Sequence, residues 1–296
     1  MIWEVGGLGV GHTTHAEART GCTVVLVSVP VVASGEVRGS APATRESALL
    51  EPTATVEHVD AVVLSGGSAF GLAAGDGAVQ WLEDHDRGFP TKWGRVPIVV
   101  GLSLFDLPVG DPSVRPTAAD GRAACEQAAT SPSTALGRLG AGTGATVSKW
   151  RGEGGAVDAG LVGAVARDGD LVVATLVAVN AWGDVVGVGP WDAPEPAIPD
   201  PEPGGSAFGG EAGAPAANTT IGVVATNAVL DKVGCMHLAR GAHDGLARAV
   251  SPPHASVDGD AFVALATGQV AAPVDRVRWM AVKVVDEAIR TLAGPG

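Results

Sequence analysis

The residues of this 296-residue chain best placed for chemistry are Asn218 and Thr219, at the junction between a proline-rich stretch and an apolar run. A threonine at the start of a buried strand is usually a β-branched strand residue and nothing more. The alternative is self-cleavage, in which the Thr219 hydroxyl attacks the carbonyl of Asn218 and water releases the resulting ester. The freed α-amine, with a reference pKa of about 8, could then act as the base for its own hydroxyl. On these residues alone, both interpretations stay open.

Other patterns with chemical potential give weaker signals. His12 and His15 are three residues apart, but no cysteine or carboxylate flanks them at a spacing typical of metal ligands. The glycines of segment 140–145 are spaced wrongly for a dinucleotide-binding loop, because the third one comes a residue early. Asp258 and Asp260, taken alone, are typical of a turn. By themselves, these patterns assign no metal, nucleotide or catalytic step.

Alternating strands and helices must position these residues. Apolar and β-branched runs predict strands at 23–29, 61–64, 96–101, 156–167, 170–182, 221–226 and 261–265, and helical periodicity predicts helices at 69–86, 120–130, 231–250 and 275–292. In the first helix, small residues share one side with Phe70 and Trp81, so we expect that side to pack closely. Short turns join several neighbouring strands, which favours mixed sheets layered with helices over a strictly parallel arrangement. Residues 190–217 contain seven prolines and no periodicity, which predicts a flexible or extended loop.

The overall composition limits the classes of function. Hydrophobic residues make up 46% and charged residues 17% of the chain, which excludes intrinsic disorder for most of it. A net charge of −13 makes nucleic acid and anionic membrane surfaces poor partners. No run of about 18 apolar residues predicts a membrane-spanning helix, and the first residues do not resemble a secretory signal. Three widely spaced cysteines fit neither a disulfide framework nor a metal site, and we expect a reducing, cytoplasmic location.

The run that begins at Thr219 resembles the nucleophile strand of the self-processing L-aminopeptidase/D-esterase family, which includes the nylon-oligomer endo-amidases. Five other segments are similar to signatures of this family and occur in its order: 20–26, 64–72, 142–149, 179–184 and 258–268. The resemblance covers nearly the whole chain. It implies a single α/β domain, a four-layer αββα sandwich with mixed sheets that is similar to the N-terminal-nucleophile hydrolases but has altered strand connectivity.

The resemblance also implies how the chain is processed and assembled. Cleavage between Asn218 and Thr219 would give fragments 1–218 and 219–296, which stay together because the strand after Thr219 is central to its sheet. Members of the family often form tetramers or larger assemblies, so we expect a homo-oligomer.

Residue roles follow position by position from the same resemblance. Thr219 is the expected nucleophile, and Asn180 is expected to stabilise the oxyanion or to orient the substrate carbonyl. Lys149 is the expected neighbouring cation, whose charge favours a neutral Thr219 amine. Asp258 and Asp260 resemble the acidic pair of the nylon-oligomer branch, and we expect them to act together on Thr219 from one face of a strand.

The family often places a tyrosine near the oxyanion, where this chain has Phe105 and no tyrosine anywhere. We expect Phe105 to line the substrate pocket. The implied function is that of an amide hydrolase acting on small peptides, amides or esters through an acyl-enzyme on Thr219, with no metal or organic cofactor. Two alternatives stay open: an acyltransferase of the same fold, similar to the ornithine acetyltransferases, and an unprocessed, non-catalytic binding protein.

Overall fold

The computed structural model of the chain describes residues 1–152, 154–189, 191–196 and 218–294. Most of the proline-rich stretch 190–217, which is predicted to form a flexible loop, lies outside the described residues. Within the described ranges, no helix has both the length and the apolar character needed to cross a bilayer.

Each predicted strand and helix lies close to one in the structure, but the strands Leu8–His15, Val32–Val37 and Ala43–Arg45 are not predicted from the sequence. The first half of the chain contains β1 (Leu8–His15), β2 (Thr20–Val27), β3 (Val32–Val37), β4 (Ala43–Arg45), β5 (Ala61–Ser65), β6 (Phe89–Thr91), β7 (Gly94–Val96) and β8 (Val99–Ser103). The second half contains β9 (Thr146–Val147), β10 (Val157–Asp158), β11 (Leu161–Asp168), β12 (Leu171–Ala178), β13 (Asp184–Val185), β14 (Ile221–Ala228), β15 (Val250–Ser251) and β16 (Ala261–Val270). The α-helices are α1 (Ala74–Asp84), α2 (Ala118–Thr130), α3 (Lys232–Ala249) and α4 (Val274–Arg290).

Two five-stranded sheets form the centre of the molecule, with strand orders β1-β2-β5-β8-β4 and β11-β12-β14-β16-β3. Most neighbours are antiparallel, but β5 pairs with β8 and β14 with β16 in parallel. The mixed sheets predicted from the short connections are therefore confirmed. The β11–β12 hairpin illustrates the local cause, because Gly169 adopts a φ of +58° in the two-residue turn between Asp168 and Leu171.

The sheets and helices form four layers. Helices α1 and α2 pack on the outer face of the first sheet, α3 and α4 pack on the outer face of the second, and an apolar core lies between the sheets. The predicted αββα sandwich is thus confirmed. As expected from its small residues, α1 packs closely: a Cβ on Gly77 would lie 1.7 Å from the backbone oxygen of Ala118 in α2.

One part of the first predicted helix is wrong. Its start is a 3₁₀ segment, Ser68–Ala73, and α1 begins only at Ala74. Phe70, predicted on the packed side, is instead exposed and lies under the guanidinium of Arg115. The reason is geometric, since a 3₁₀ segment turns every three residues and shifts the face that an α-helix would bury.

The central strand of the second sheet positions the site. All eight residues of β14 are buried, as expected for a strand covered by a sheet on one face and helices on the other. Its first residue, Ile221, pairs in parallel with Ala261, the first residue of β16. Because the two strands start at the same level, the segments that precede them, 218–220 and 258–260, lie side by side.

Candidate active site

Thr219 lies directly ahead of β14 and is only 3% exposed. Its φ is +107°, a value that β-branched residues rarely adopt, because the left-handed region brings Cβ against the backbone. Strain of this kind costs about 1–3 kcal/mol and persists only where surrounding contacts enforce it. The Thr219 Oγ1 accepts a hydrogen bond of 2.8 Å from the backbone N–H of Gly259.

The carbonyl on the other side of the junction is also held by a backbone donor. The oxygen of Asn218 accepts a hydrogen bond of 3.2 Å from the N–H of Phe105, which follows β8 of the other sheet. Asn218 is fully buried. The hydroxyl and the carbonyl that self-cleavage requires are thus both fixed by rigid backbone, one from each sheet.

Lys149 and Asn180 form a hydrogen-bonded unit behind Phe105. The Lys149 Nζ donates to Asn180 Oδ1 at 2.8 Å and to its backbone oxygen at 3.0 Å, while Thr146 N–H donates to the same Oδ1 at 3.0 Å. The Asn180 Nδ2 donates to the carbonyl of Phe105 at 3.0 Å. Asn180 therefore reaches the junction in this uncut chain through the Phe105 peptide, and its direct role at a substrate carbonyl stays a prediction.

The acidic pair approaches the junction from the loop before β16, so the expectation that it shares one face of a strand is wrong. Asp260 Oδ1 accepts a hydrogen bond of 2.7 Å from Thr220 N–H. Asp258 Oδ2 accepts one of 2.9 Å from Ala255 N–H. Gly259, between the two acids, supplies the donor to Thr219. The two acids therefore lie beside the junction, as predicted, but they are carried by a loop and not by a strand.

Burial sets the electrostatics of the cluster. It lowers the pKa of Lys149 to about 7, although the charges of Asp258, Asp260 and Asp106 favour its protonated form. Burial also raises the pKa of Asp258 to about 7, and the charge of Asp260 adds to this effect, while Lys149 opposes it. A lysine and a carboxyl that change protonation at neutral pH are suited to acid–base work.

Sequence reasoning missed two polar residues of this cluster. Asp106 is 3% exposed and accepts hydrogen bonds from Gly67 N–H at 2.7 Å and from the Thr20 hydroxyl at 2.8 Å. Burial raises its pKa. His254 places Nδ1 2.9 Å from Asp260 Oδ2. A signal existed for Asp106. It follows β8, which runs parallel to β5, and the ends of two parallel strands meet at one edge of the sheet, so Asp106 lies near Gly66 and Gly67, which follow β5.

His12 and His15 lie away from this cluster, and each contacts a different residue. The ring of His12 contacts the Thr23 hydroxyl at 3.0 Å, and the ring of His15 contacts Asp120 at 2.9 Å. Within the residues that the structure describes, no group of three or more His, Cys, Asp or Glu side chains is arranged to hold a metal ion.

Comparison with known proteins agrees with this geometry. The sequence matches peptidase family S58 over residues 1–293. The chain belongs to this family. An uncharacterized aminopeptidase of Mycobacterium leprae is 41% identical over 293 residues, covering 92% of this chain and 79% of the relative. A 6-aminohexanoate-oligomer endohydrolase of Kocuria sp. is 27% identical over 288 residues, covering 92% of this chain and 76% of that protein.

Solved structures show the same fold at low sequence identity. The L-aminopeptidase D-Ala-esterase/amidase of Ochrobactrum anthropi, described as a variant of the Ntn hydrolase fold, superposes with a TM-score of 0.73 at 22% identity. A β-aminopeptidase of Burkholderia sp. gives 0.70 at 23%. Each comparison covers 98% of this chain and 85% of the other. The family resemblance, the fold class and the expectation of a hydrolytic enzyme are confirmed.

Proposed function

We propose that this peptidase S58 member cleaves its own chain between Asn218 and Thr219 and then uses Thr219 as the nucleophile of an aminopeptidase or amidase. The observation that carries the proposal is the geometry of the junction. Thr219 has a strained backbone, and its hydroxyl accepts a hydrogen bond from Gly259 N–H. The carbonyl of the preceding residue, Asn218, accepts one from Phe105 N–H. A purely structural strand residue needs neither the strain nor these two donors.

The proposed self-cleavage balances without an outside reagent other than water. The Thr219 oxygen bonds to the carbonyl carbon of Asn218, the C–N bond between the two residues breaks, and the nitrogen takes up the hydroxyl proton. Water then hydrolyses the ester, leaving a carboxylate on Asn218 and a free hydroxyl on Thr219. Breaking the C–N bond also releases the positive φ of Thr219, so the strain favours the ester over the starting peptide.

The same donors then serve substrate hydrolysis. Once Asn218 moves away, a substrate carbonyl can occupy the position of its carbonyl, and Phe105 N–H donates to the developing oxyanion. Asn180 helps to hold Phe105 in place by donating to its carbonyl, and Lys149 in turn holds Asn180 by donating to its Oδ1. A single oriented donor of this kind typically contributes about 100- to 1,000-fold in rate.

The protonation states of the cluster suit a free Thr219 amine. The positive charge of Lys149 favours a neutral amine, which can take the proton of its own hydroxyl. Burial lowers the pKa of Lys149 and raises that of Asp258, so this interacting pair can hold a proton and return it to the leaving group at neutral pH. No step in this sequence requires a metal or an organic cofactor.

The relatives point to the substrate class and leave the assembly open. One is named an aminopeptidase and another an endohydrolase of 6-aminohexanoate oligomers. We therefore propose N-terminal residues of small peptides, or other small amides and esters, as substrates. All three cysteines are free and buried, which fits a reducing cytoplasm. The homo-oligomer stays a prediction.

Intact-mass spectrometry of the purified protein tests the proposal. We expect fragments 1–218 and 219–296 from the wild type and one uncut chain from Thr219→Ala. Thr220→Ala is the matched control, because it removes the neighbouring buried hydroxyl and should still be cut after Asn218. An uncut wild type, or a cut at another bond, would refute self-cleavage by Thr219. Adding an amine acceptor during peptide hydrolysis separates hydrolysis from acyl transfer.

A further inference from the structure

His254 lies in the connection between β15 and β16 and reaches back to the acidic pair. Its Nδ1 lies 2.9 Å from Asp260 Oδ2, and an ionised carboxylate can only accept, so the imidazole donates. The other oxygen of Asp260 accepts from Thr220 N–H at 2.7 Å. The carboxylate is therefore held between the imidazole and the backbone of the proposed nucleophile segment. Both side chains are largely buried, with 16% and 3% exposed.

The backbone of His254 is also unusual. Its φ is +53°, in the left-handed region that favours glycine and, among other residues, asparagine. A histidine in this conformation is strained, and such residues persist where surrounding contacts enforce the geometry. The hydrogen bond to Asp260 is a contact of this kind, and it requires the side chain to project from this backbone position.

A second imidazole packs against the first. The rings of His243 and His254 meet edge to face with centroids 5.0 Å apart, and His243 Nε2 lies 2.9 Å from the backbone oxygen of Glu36. Burial lowers the pKa of His243 to about 4, so its ring is neutral at neutral pH and donates this hydrogen bond. The neutral, buried His243 ring thus packs against the His254 ring and holds it in place.

We propose that His254 is a positioning residue: through Nδ1 it fixes the Asp260 carboxylate, and through Asp260 it fixes the Thr220 N–H and the strained Thr219 backbone. The inference rests on the proposed self-processing function. The Asp258–Asp260 segment also contains Gly259, whose N–H holds the Thr219 hydroxyl. Removing the imidazole therefore loosens both contacts of the segment with Thr219 and Thr220.

Three substitutions separate the donor from the bulk of the ring. His254→Gly removes the side chain and relieves the backbone strain. His254→Asn keeps a side chain that tolerates the left-handed region and places an N–H near the position of Nδ1. His254→Asp has the shape of asparagine but presents an acceptor to Asp260. The measured quantity is the rate of appearance of fragments 1–218 and 219–296 in freshly made full-length chain, followed by intact mass.

We expect His254→Gly and His254→Asp to slow cleavage about 10- to 100-fold, as loss of a hydrogen bond to a charged group would. His254→Asn should stay within about threefold of the wild type. Imidazole added to His254→Gly should recover part of the lost rate, which a general loss of folding would not allow. Circular dichroism on each variant checks folding, and if the glycine variant is unfolded, the comparison of the isosteric asparagine and aspartate variants decides.

The outcomes distinguish this inference from the proposed function. A wild type that never cleaves overturns the self-processing function and this inference with it. A wild type that cleaves, together with glycine and aspartate variants that cleave equally fast, overturns the role of His254 only. Equal slowing in the asparagine, glycine and aspartate variants, with no recovery by imidazole, also overturns it, because the donor would then not be what matters.

Discussion

Replacing Lys149 with methionine removes the only charge that opposes three buried carboxyl groups in the described cluster, Asp106, Asp258 and Asp260. Methionine has a similar length and leaves no large cavity. The Lys149 Nζ loses its hydrogen bonds to the oxygens of Asn180, at 2.8 and 3.0 Å. Removing one member of a buried charged cluster typically costs about 3–5 kcal/mol of unfolding free energy. We expect a stability loss of this size.

The effect on cleavage is larger than stability alone explains. Without Lys149, Asn180 Oδ1 keeps the hydrogen bond from Thr146 N–H but loses the one from Nζ, so its Nδ2 holds the Phe105 carbonyl less firmly and Phe105 is less firmly positioned at the Asn218 carbonyl. Complete loss of one such donor lowers a rate about 100- to 1,000-fold, which sets the upper limit of the expected effect. The pKa of Asp258 also rises further, because the charge of Lys149 opposes the effect of burial. The remaining cleavage should therefore increase with pH above neutrality.

A second buried lysine provides a matched control. The Lys232 Nζ donates to the backbone oxygens of Leu49, Ala54 and Val56, at 2.7, 3.1 and 2.7 Å. It follows β14, whereas Thr219 precedes it, so an eight-residue strand of about 25 Å separates them. Lys232→Met leaves three carbonyls without their donor and should destabilise the chain by a similar amount. It should leave the cleavage rate of the folded chain unchanged.

The assay compares both variants with the wild type under two conditions. Urea unfolding in a Thr219→Ala background measures stability with the chain uncut in every case. Intact mass over time, at a temperature where all variants are folded, measures cleavage. The reasoning is refuted by a Lys149→Met rate within about threefold of the wild type, or by equal slowing in Lys149→Met and Lys232→Met.

Three further predictions concern pH, packing and a buried ion pair. Cleavage and peptide hydrolysis should slow below about pH 6, where the Lys149–Asp258 pair holds two protons, and above about pH 8, where it holds none, because the proposed chemistry uses the pair with one proton. A flat pH–rate profile between about pH 5 and 9 would contradict this. Gly77→Ala should cost at least about 1–3 kcal/mol in urea unfolding, since the added Cβ would lie 1.7 Å from a backbone oxygen of α2, while cleavage of the folded chain continues. Burial raises the pKa of Asp184, but the hydrogen bonds that Asp184 accepts, led by those from Arg151, and the charge of Arg151 together outweigh burial and hold this pKa below its usual range. The ionised Asp184 therefore stabilises the folded chain above its unfolded pKa of about 4, and this stabilisation is lost as the pH falls through its lower pKa in the folded chain. Arg151→Met should for this reason lower the urea midpoint more at about pH 7 than at about pH 3.

The architecture was predictable because its signals are local. Apolar runs and helical periodicity predict seven of the ten strands in the two central sheets and the four α-helices of the described residues, and the short Asp168–Leu171 turn predicts an antiparallel pair. The strands β1, β3 and β4 are not predicted. Phe70 was misplaced because sequence periodicity does not distinguish a 3₁₀ start from an α-helical one. The apolar run predicts that the last strand ends at Leu265, but the strand continues to Val270, because Thr267, Gly268 and Gln269 interrupt the apolar pattern.

The residues of the candidate site were predictable only where the family resemblance assigns a role to an individual position. That resemblance brought Asn180, Lys149, Asp258 and Asp260 to Thr219, and the structure brings them together. Periodicity could not do so, because they come from four segments far apart in the chain. His254 was missed for another reason: it lies only six residues before Asp260, but its contact with Asp260 depends on a left-handed turn, and no apolar pattern marks that turn.

The hydrogen bonds that hold the junction come from backbone N–H groups. Backbone donors are fixed by the sheets, and because every residue type except proline has one, no sequence motif reveals them. Gly259 N–H holds the hydroxyl of Thr219, and Phe105 N–H holds the carbonyl of Asn218. The first donor is placed by the in-register parallel pairing of β14 with β16, and the second by the end of β8 in the facing sheet. Two rigid sheets can therefore enforce a positive φ on a threonine, and cutting the bond before that residue would relieve the strain while leaving both sheets intact.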